Sequence, residues 1–175
     1  MAYYELPFSE VQDVITRLGY KLPANYFTSN LRFYLDRTTH GSTLSRIVYS
    51  VLDEMDGSMD QSWQLFSTAL FSDYYDIQGG TTAEGIHLGV MGATLQIETG
   101  CYGGVRLESN EVSINPHLPQ NWQKISFKQA YRGINYQFEI THHDVTVAAD
   151  AGTHVKVAGK DYSLTKNKAA TISYK

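Results

Sequence analysis

Between Gly79 and Gln96 the chain reads GGTTAEGIHLGVMGATLQ, a run whose residue types are those that hold an oxyanion. Gly79 and Gly80 have no Cβ, so the backbone there turns freely and aims N–H groups outward. The start of a helix adds unpaired donors and the positive end of its dipole, and anions favour such places. Thr81 with Glu84 three residues on has the form of a capping box, which predicts a helix starting near Thr82. His87 follows Glu84 by three residues and falls on the same face, one turn in. The bland reading of the same residues makes Glu84 a cap and His87 a core histidine. Gly85, Gly89, Gly92 and Ala93 recur among Ile86, Val90, Met91, Leu95 and Ile97, a pattern that predicts a buried helix closely approached by its neighbours. Each helical glycine costs roughly 0.5–1 kcal/mol relative to alanine, so close packing or backbone access by a ligand is expected to explain them.

A second segment, RTTHGSTLSR from Arg37 to Arg46, repeats the logic. Gly41 permits a sharp turn, Ser42 caps, and Ser42 and Thr43 offer hydroxyls beside the open N–H groups of a helix start. His40, Arg37 and Arg46 lie close in sequence to balance negative charge. Taken alone each turn is an ordinary cap; together they point to a shared anion.

The elements that must position these turns follow from periodicity. Pro7 to Leu18, capped by Ser9, and Pro23 to Leu35 read as helices; Leu44, Ile47, Val48, Val51, Leu52 and Met55 make a strong helical stripe. Ser58 to Gln61 has a capping-box form, and Trp63, Phe66, Leu70 and Tyr74 continue a helix that ends before Gln78. The first hundred residues are therefore expected to be antiparallel helix pairs. After Cys101, Gly103 and Gly104 break the helix and the period changes. Short strands are predicted at 105–108, 112–114, 124–131, 134–140, 145–148, 155–157, 162–164 and 171–174, joined by turns such as Arg132-Gly133 and Ala158-Gly159. Ile134, Tyr136, Phe138 and Ile140 alternate with polar residues, the mark of a strand wet on one side. Such spacing suggests a sandwich or jelly roll, with the boundary near residue 102.

Composition narrows the function classes. A length of 175 residues suits one ordinary domain or two small ones, and a net charge of -4 argues against nucleic acid. Cys101 is the single cysteine, which excludes an internal disulfide and fits the cytoplasm. No apolar run approaches the roughly 18 residues of a membrane span. His142, His143 and Asp144 make a poor chelate, because neighbours on a strand point to opposite faces, so a solvated turn and no metal are expected. Asn115 to Pro119 followed by Trp122 reads as a rigid loop that packs a tryptophan.

RTTHGSTLSR, then SDYYDIQGGTTAEGIHLGVMGAT, then GGVRLE, INPHLPQNW and ISFKQAYRG together resemble the C-terminal part of glycoside hydrolase family 65, the family of maltose, trehalose and kojibiose phosphorylases. The resemblance covers nearly the whole chain, in the family's order. It implies an α+β chain: residues 1–102 as the last helices of an (α/α)6 barrel, and 103–175 as a C-terminal antiparallel β-sandwich of jelly-roll type. It also implies an inverting phosphorolysis, in which inorganic phosphate attacks the anomeric carbon of an α-glucosidic disaccharide. A glutamate acid protonates the leaving oxygen and β-glucose 1-phosphate results. Phosphate is the co-substrate, and no cofactor is implied. By the resemblance, Ser42 and Thr43 contribute donors, Gly79, Gly80 and Thr81 shape the facing turn, and His87 places an imidazole on the phosphate, with His40, Gly41, Thr82 and Glu84 in support. The family's acid glutamate and most of its sugar-binding residues lie upstream of the part represented here. This chain is thus expected to hold no catalytic residue, to be inactive alone, and to self-associate or bind a partner chain that completes the barrel.

Two other readings compete. In a related hydrolase a carboxylate, locally Glu84, would activate water where phosphate would bind. Alternatively the sandwich and its aromatics serve a noncatalytic sugar-binding or assembly role.

Overall fold

A computed structural model of the chain describes residues 2–80, 82–108 and 110–175. They form two compact units, Met1–Thr94 and Leu95–Lys175.

The first unit is helical: α1 (Ala2–Glu5), α2 (Phe8–Arg17), α3 (Tyr26–Leu35), α4 (Thr43–Met55), α5 (Met59–Leu70) and α6 (Leu88–Gln96), the last running two residues past its boundary. Helix α4 is the hub, packing chiefly on α5 and also touching α1 and α3. Its expected stripe is the reason: Ile47, Val48 and Leu52 are buried, and Leu31 of α3 packs with Val48 and Leu52 under Tyr3, Phe27 and Tyr49. Between α4 and α5 the buried Ser50 hydroxyl donates to the Ser62 carbonyl at 3.0 Å, which satisfies both groups away from water.

Several helix starts differ from expectation. Helix α2 begins after Pro7, whose carbonyl accepts from Glu10 and Val11, and no Ser9 cap is used. Helix α3 begins at Tyr26, three residues later than read. Ser58 precedes α5 without a side-chain cap, because its hydroxyl accepts from Arg32 Nη2 at 3.0 Å instead. The largest difference lies in the glycine-rich run. Thr82–Glu84 makes one 3₁₀ turn, the chain then reopens, and α6 starts only at Leu88. Thr81 lies outside the described residues. Nor is this helix closely approached as expected: nothing stands within 4 Å of where a Cβ would sit on Gly85, Gly89 or Gly92, and Leu88 is 72 % exposed.

The second unit opens with a π-helical turn, Ile97–Tyr102, and continues as β1 (Val105–Glu108), β2 (Glu111–Ile114), β3 (Lys124–Tyr131), β4 (Ile134–Thr141), β5 (Asp144–Ala149), β6 (Thr153–Val157), β7 (Lys160–Leu164) and β8 (Ala170–Ser173). One sheet has the order β1-β2-β6-β7 and the other β3-β4-β5-β8. All pairings are antiparallel save β2 with β6, which are parallel. The inward residues of both sheets, among them Ile114, Phe138, Ile140, Val145, Val147, Val155 and Val157, share one core, which makes the unit a sandwich. The β3–β4 hairpin turns on Arg132 and Gly133, at φ 51° and 79°, the two positive values that match the twist of the flanking strands. Gly104 is a steric requirement: at φ 66° its missing Cβ would lie 1.9 Å from the Asn115 carbonyl oxygen. Trp122 packs against this core, edge-on to Tyr102 at 5.7 Å. His142 Nε2–H donates to the Trp122 carbonyl at 2.7 Å, so this histidine anchors the loop and is not merely solvated.

Asp53 of α4 stands apart from the good packing around it. It is 0 % exposed, and both carboxylate oxygens are buried without a hydrogen-bond partner among the described residues. Burial raises its pKa from 3.8 to about 6, with Asp56 adding to the rise and Arg32 opposing it. The folded state therefore binds a proton more readily than the unfolded one, so Asp53 costs stability progressively as pH rises from 3.8 to about 6 and costs it in full above. Replacing it, as Asp53→Asn, is expected to stabilise the chain by about 1–2 kcal/mol at pH 7 and to bring no gain below pH about 4, read from denaturant midpoints across that range.

Candidate functional site

The two turns read as anion-friendly meet in the structure. Gln78 Nε2 donates to the Gly41 carbonyl at 2.7 Å, tying the start of the glycine pair to the turn before α4. Neither turn is held by chance contacts, because each is braced from within.

At the α4 turn, Ser42 is the N-cap, and its hydroxyl accepts from Leu44 N at 3.3 Å. Ser45 Oγ donates to the Ser42 carbonyl at 2.7 Å, so its single proton is spent and His40 Nδ1, 3.0 Å away, must donate to it. His40 thus braces the turn in a left-handed backbone at φ 51°. Burial and then the Arg46 charge lower its pKa, which disfavours the positive charge expected of it. Arg37 is likewise spent elsewhere, donating to the Phe33 carbonyl at 2.8 Å and lying over the Phe33 ring. Arg46 differs: its Nη1 is buried without a hydrogen-bond partner among the described residues. Thr43 is 2 % exposed, so its hydroxyl faces the interior and the surface role at this helix start falls to Ser42.

At the glycine turn two carboxylates do the bracing. Asp76 Oδ2 accepts from Gly80 N at 2.6 Å and its Oδ1 from Thr82 N at 3.2 Å, while Gly79 N donates to the Asp76 carbonyl at 2.9 Å. The backbone donors expected to point at a ligand are therefore occupied by the chain's own acceptors. Asp73 grips the next piece: its Oδ2 accepts from His87 N at 2.8 Å, and its Oδ1 from His87 Nδ1 at 2.5 Å. Asp73 is 9 % exposed, and hydrogen bonding from the His87 ring, first among several causes, lowers its pKa below the usual carboxylate range. Since the ionised carboxylate only accepts, Nδ1 carries the proton and the ring presents Nε2. The His87 side chain remains 33 % exposed, so it is no sealed core histidine. Glu84 is exposed on its 3₁₀ turn, and its capping partner Thr81 lies outside the described residues.

The chemical capacity left over belongs to side chains: Nε2 of His87, Arg46 Nη1, and the buried hydroxyls of Ser72 and Thr82, which have no hydrogen-bond partner among the described residues. Sequence reasoning missed Asp73, Asp76 and Gln78. Their only signal was position, since they are the polar residues spaced through the loop between α5 and the glycine pair. A separate apolar cavity of about 710 Å³ lies between α1, α3 and α4, lined by Tyr3, Phe27, Leu31, Tyr34, Tyr49 and Leu52 among others. Of the expected site residues that are described, Ser42 alone lines it. Among the described residues no cluster of His, Cys, Asp and Glu is fit to hold a metal ion, and no helix is long and apolar enough to cross a membrane.

Residues 2–96 match the glycosyl hydrolase family 65 central catalytic domain, and residues 105–164 match the C-terminal domain of that family. The chain belongs to glycosyl hydrolase family 65. It is 40 % identical over 164 residues to trehalose 6-phosphate phosphorylase of Lactococcus lactis, which covers 94 % of this chain and 21 % of the relative. It is 32 % identical over 139 residues to kojibiose phosphorylase of Caldanaerobacter subterraneus, covering 77 % of this chain and 18 % of that one. A solved structure described as a kojibiose phosphorylase candidate from the human microbiome shares the fold, with a TM-score of 0.74 at 22 % identity over 87 % of this chain and 20 % of that chain. The chain thus spans about a fifth of the length of these relatives.

Proposed function

We propose that this chain carries the phosphate-facing part of an inverting α-glucosidic disaccharide phosphorylase. The observation that supports the reading most is the Gln78–Gly41 hydrogen bond, which puts the two turns side by side, with Arg46 in the first turn of one helix and His87 at the end of the loop that forms the other turn. In this reading the α4 N-terminus, the Ser42 hydroxyl, Arg46 Nη1 and His87 Nε2 hold inorganic phosphate, and Gly79, Gly80 and Thr82 shape its wall. Their backbone donors serve Asp76 and so act by holding the wall in place. An oxyanion fixed among preorganised donors is oriented for in-line attack on an anomeric carbon. The acid that protonates the leaving sugar is assigned to no residue of this chain and belongs elsewhere in the parent protein. The likeness to a trehalose 6-phosphate phosphorylase makes a phosphorylated α-linked disaccharide the first substrate to test. The hydrolytic alternative gains nothing from the structure, since Glu84 is exposed on its 3₁₀ turn. Titrating inorganic phosphate while following the His87 ring resonances tests the reading: a saturable shift is expected below tens of millimolar, and an unmoved ring would overturn it.

A second part of the proposal concerns partners and place. Among the described residues every exposed large apolar side chain lies between Leu6 and Leu95, including Leu18, Tyr20, Tyr74, Ile86, Leu88 and Leu95, and the sandwich exposes none. Helical surface of this kind marks an interface. In the parent it is covered by further helices of the central domain, which complete a barrel, and the work is done in the cytoplasm. Light scattering on the 19.7 kDa chain alone is expected to show self-association, and a clean monomer would contradict it.

A further inference from the structure

We propose that Asp73 is the positioning residue for His87, holding the imidazole in the Nδ1–H tautomer so that Nε2 faces the incoming oxyanion; this rests on the phosphate reading above. The geometry is a two-point grip on a single residue. One carboxylate oxygen takes the backbone N–H of His87 at 2.8 Å and the other takes Nδ1 at 2.5 Å. The first bond fixes where the residue's Cα stands, and the second fixes the rotation of the ring. Together they leave the side chain little freedom, although it is one-third exposed and sits in a reopened stretch between a 3₁₀ turn and α6. A histidine in such a stretch would otherwise sample several rotamers and both neutral tautomers.

The grip also decides which chemistry the ring performs. With Nδ1–H committed to Asp73, Nε2 is the one nitrogen available to a ligand. It donates to a phosphate oxygen when the ring is protonated and accepts from a P–OH when it is not. A carboxylate that orients a histidine through Nδ1 is the arrangement by which hydrolytic triads hold their ring, where an amide in place of the acid selects the wrong tautomer. Asp73 touches no reacting atom in this scheme and acts wholly through His87. Asp73 is itself fixed: it is 9 % exposed and lies between α5 and Asp76, whose carboxylate secures the following turn. The ring is therefore held from a rigid base.

The test uses the full chain labelled with ¹⁵N-histidine. In the wild type the His87 ring is expected to show a protonated Nδ1, held by Asp73. Asp73→Asn is expected to move the ring toward the Nε2–H tautomer and to weaken phosphate binding about 10-fold or more, with a changed pH profile of binding. A wild-type ring protonated on Nε2 alone, or an Asp73→Asn ring with an unchanged tautomer and unchanged phosphate affinity, would overturn the proposal. Should Asp73→Asn fail to fold, the wild-type tautomer decides by itself. An Nδ1–H ring that phosphate leaves unmoved would uphold the grip while removing the phosphate reading, so the two claims fail separately.

Discussion

Two carboxylates three residues apart, Asp73 and Asp76, hold the loop on which the proposed site in the helical unit is built. Between the end of α5 at Leu70 and the start of α6 at Leu88 the described residues form backbone hydrogen-bonded turns as far as Gly79 and then one short 3₁₀ turn, which leaves the N–H groups of Gly80, Thr82 and His87 to side-chain acceptors. Asp76 collects the N–H groups of Gly80 and Thr82, and Asp73 collects that of His87 together with its ring. Charge-assisted bonds of this kind are shorter and roughly twice as strong as neutral ones, and here they replace the ladder that a helix would have provided. Gln78 then ties the braced loop to Gly41 at the mouth of α4. Remove the carboxylates and His87 has no fixed direction.

This frame changes how an anion site would work. The glycine pair invites a reading in which bare backbone donors wrap a phosphate, but those donors are already spent on Asp76. What the loop offers a ligand is an oriented imidazole and a firm wall, set beside a helix start whose Arg46 Nη1 has no hydrogen-bond partner among the described residues. Positive charge and directional donors thus come from side chains, while the backbone supplies rigidity. Such a division suits a site that binds a doubly charged oxyanion in one orientation, since side chains on a rigid base cost little reorganisation when the ligand arrives.

Much of the fold was legible in the sequence because burial there has a period. Tyr136, Phe138 and Ile140 alternate with exposed Gln137 and Glu139, and each strand of the sandwich lies within two residues of where alternation put it. The α4 stripe was legible for the same reason: Ile47, Val48 and Leu52 are buried, and Val48 and Leu52 share a core with Leu31. What the sequence hid was governed by side chains bonding the backbone at irregular spacing. Thr82 and Glu84 read as the first turn of a long helix, yet the positive-φ backbone that Gly85 adopts freely and the hold of Asp73 on His87 end that turn and delay α6 to Leu88. The glycines of α6 read as a tight packing seam, and in this chain they face open space. Ser42, Gly41 and His87 were legible as candidates because helix starts and histidines announce themselves. Asp73 and Asp76 were not, since an acid in a loop looks solvated until its partners are placed.

The dependence of the loop on its carboxylates is open to one direct measurement, amide hydrogen exchange at Gly80, Thr82 and His87. These three N–H groups lie outside any α-helix or strand, so their protection has no other source among the described residues than Asp76 and Asp73. Exchange slowed about 100-fold or more relative to an unstructured chain at all three positions is the expected result. Exchange there at the free-chain rate, with α4 and the sandwich still protected, would contradict the account.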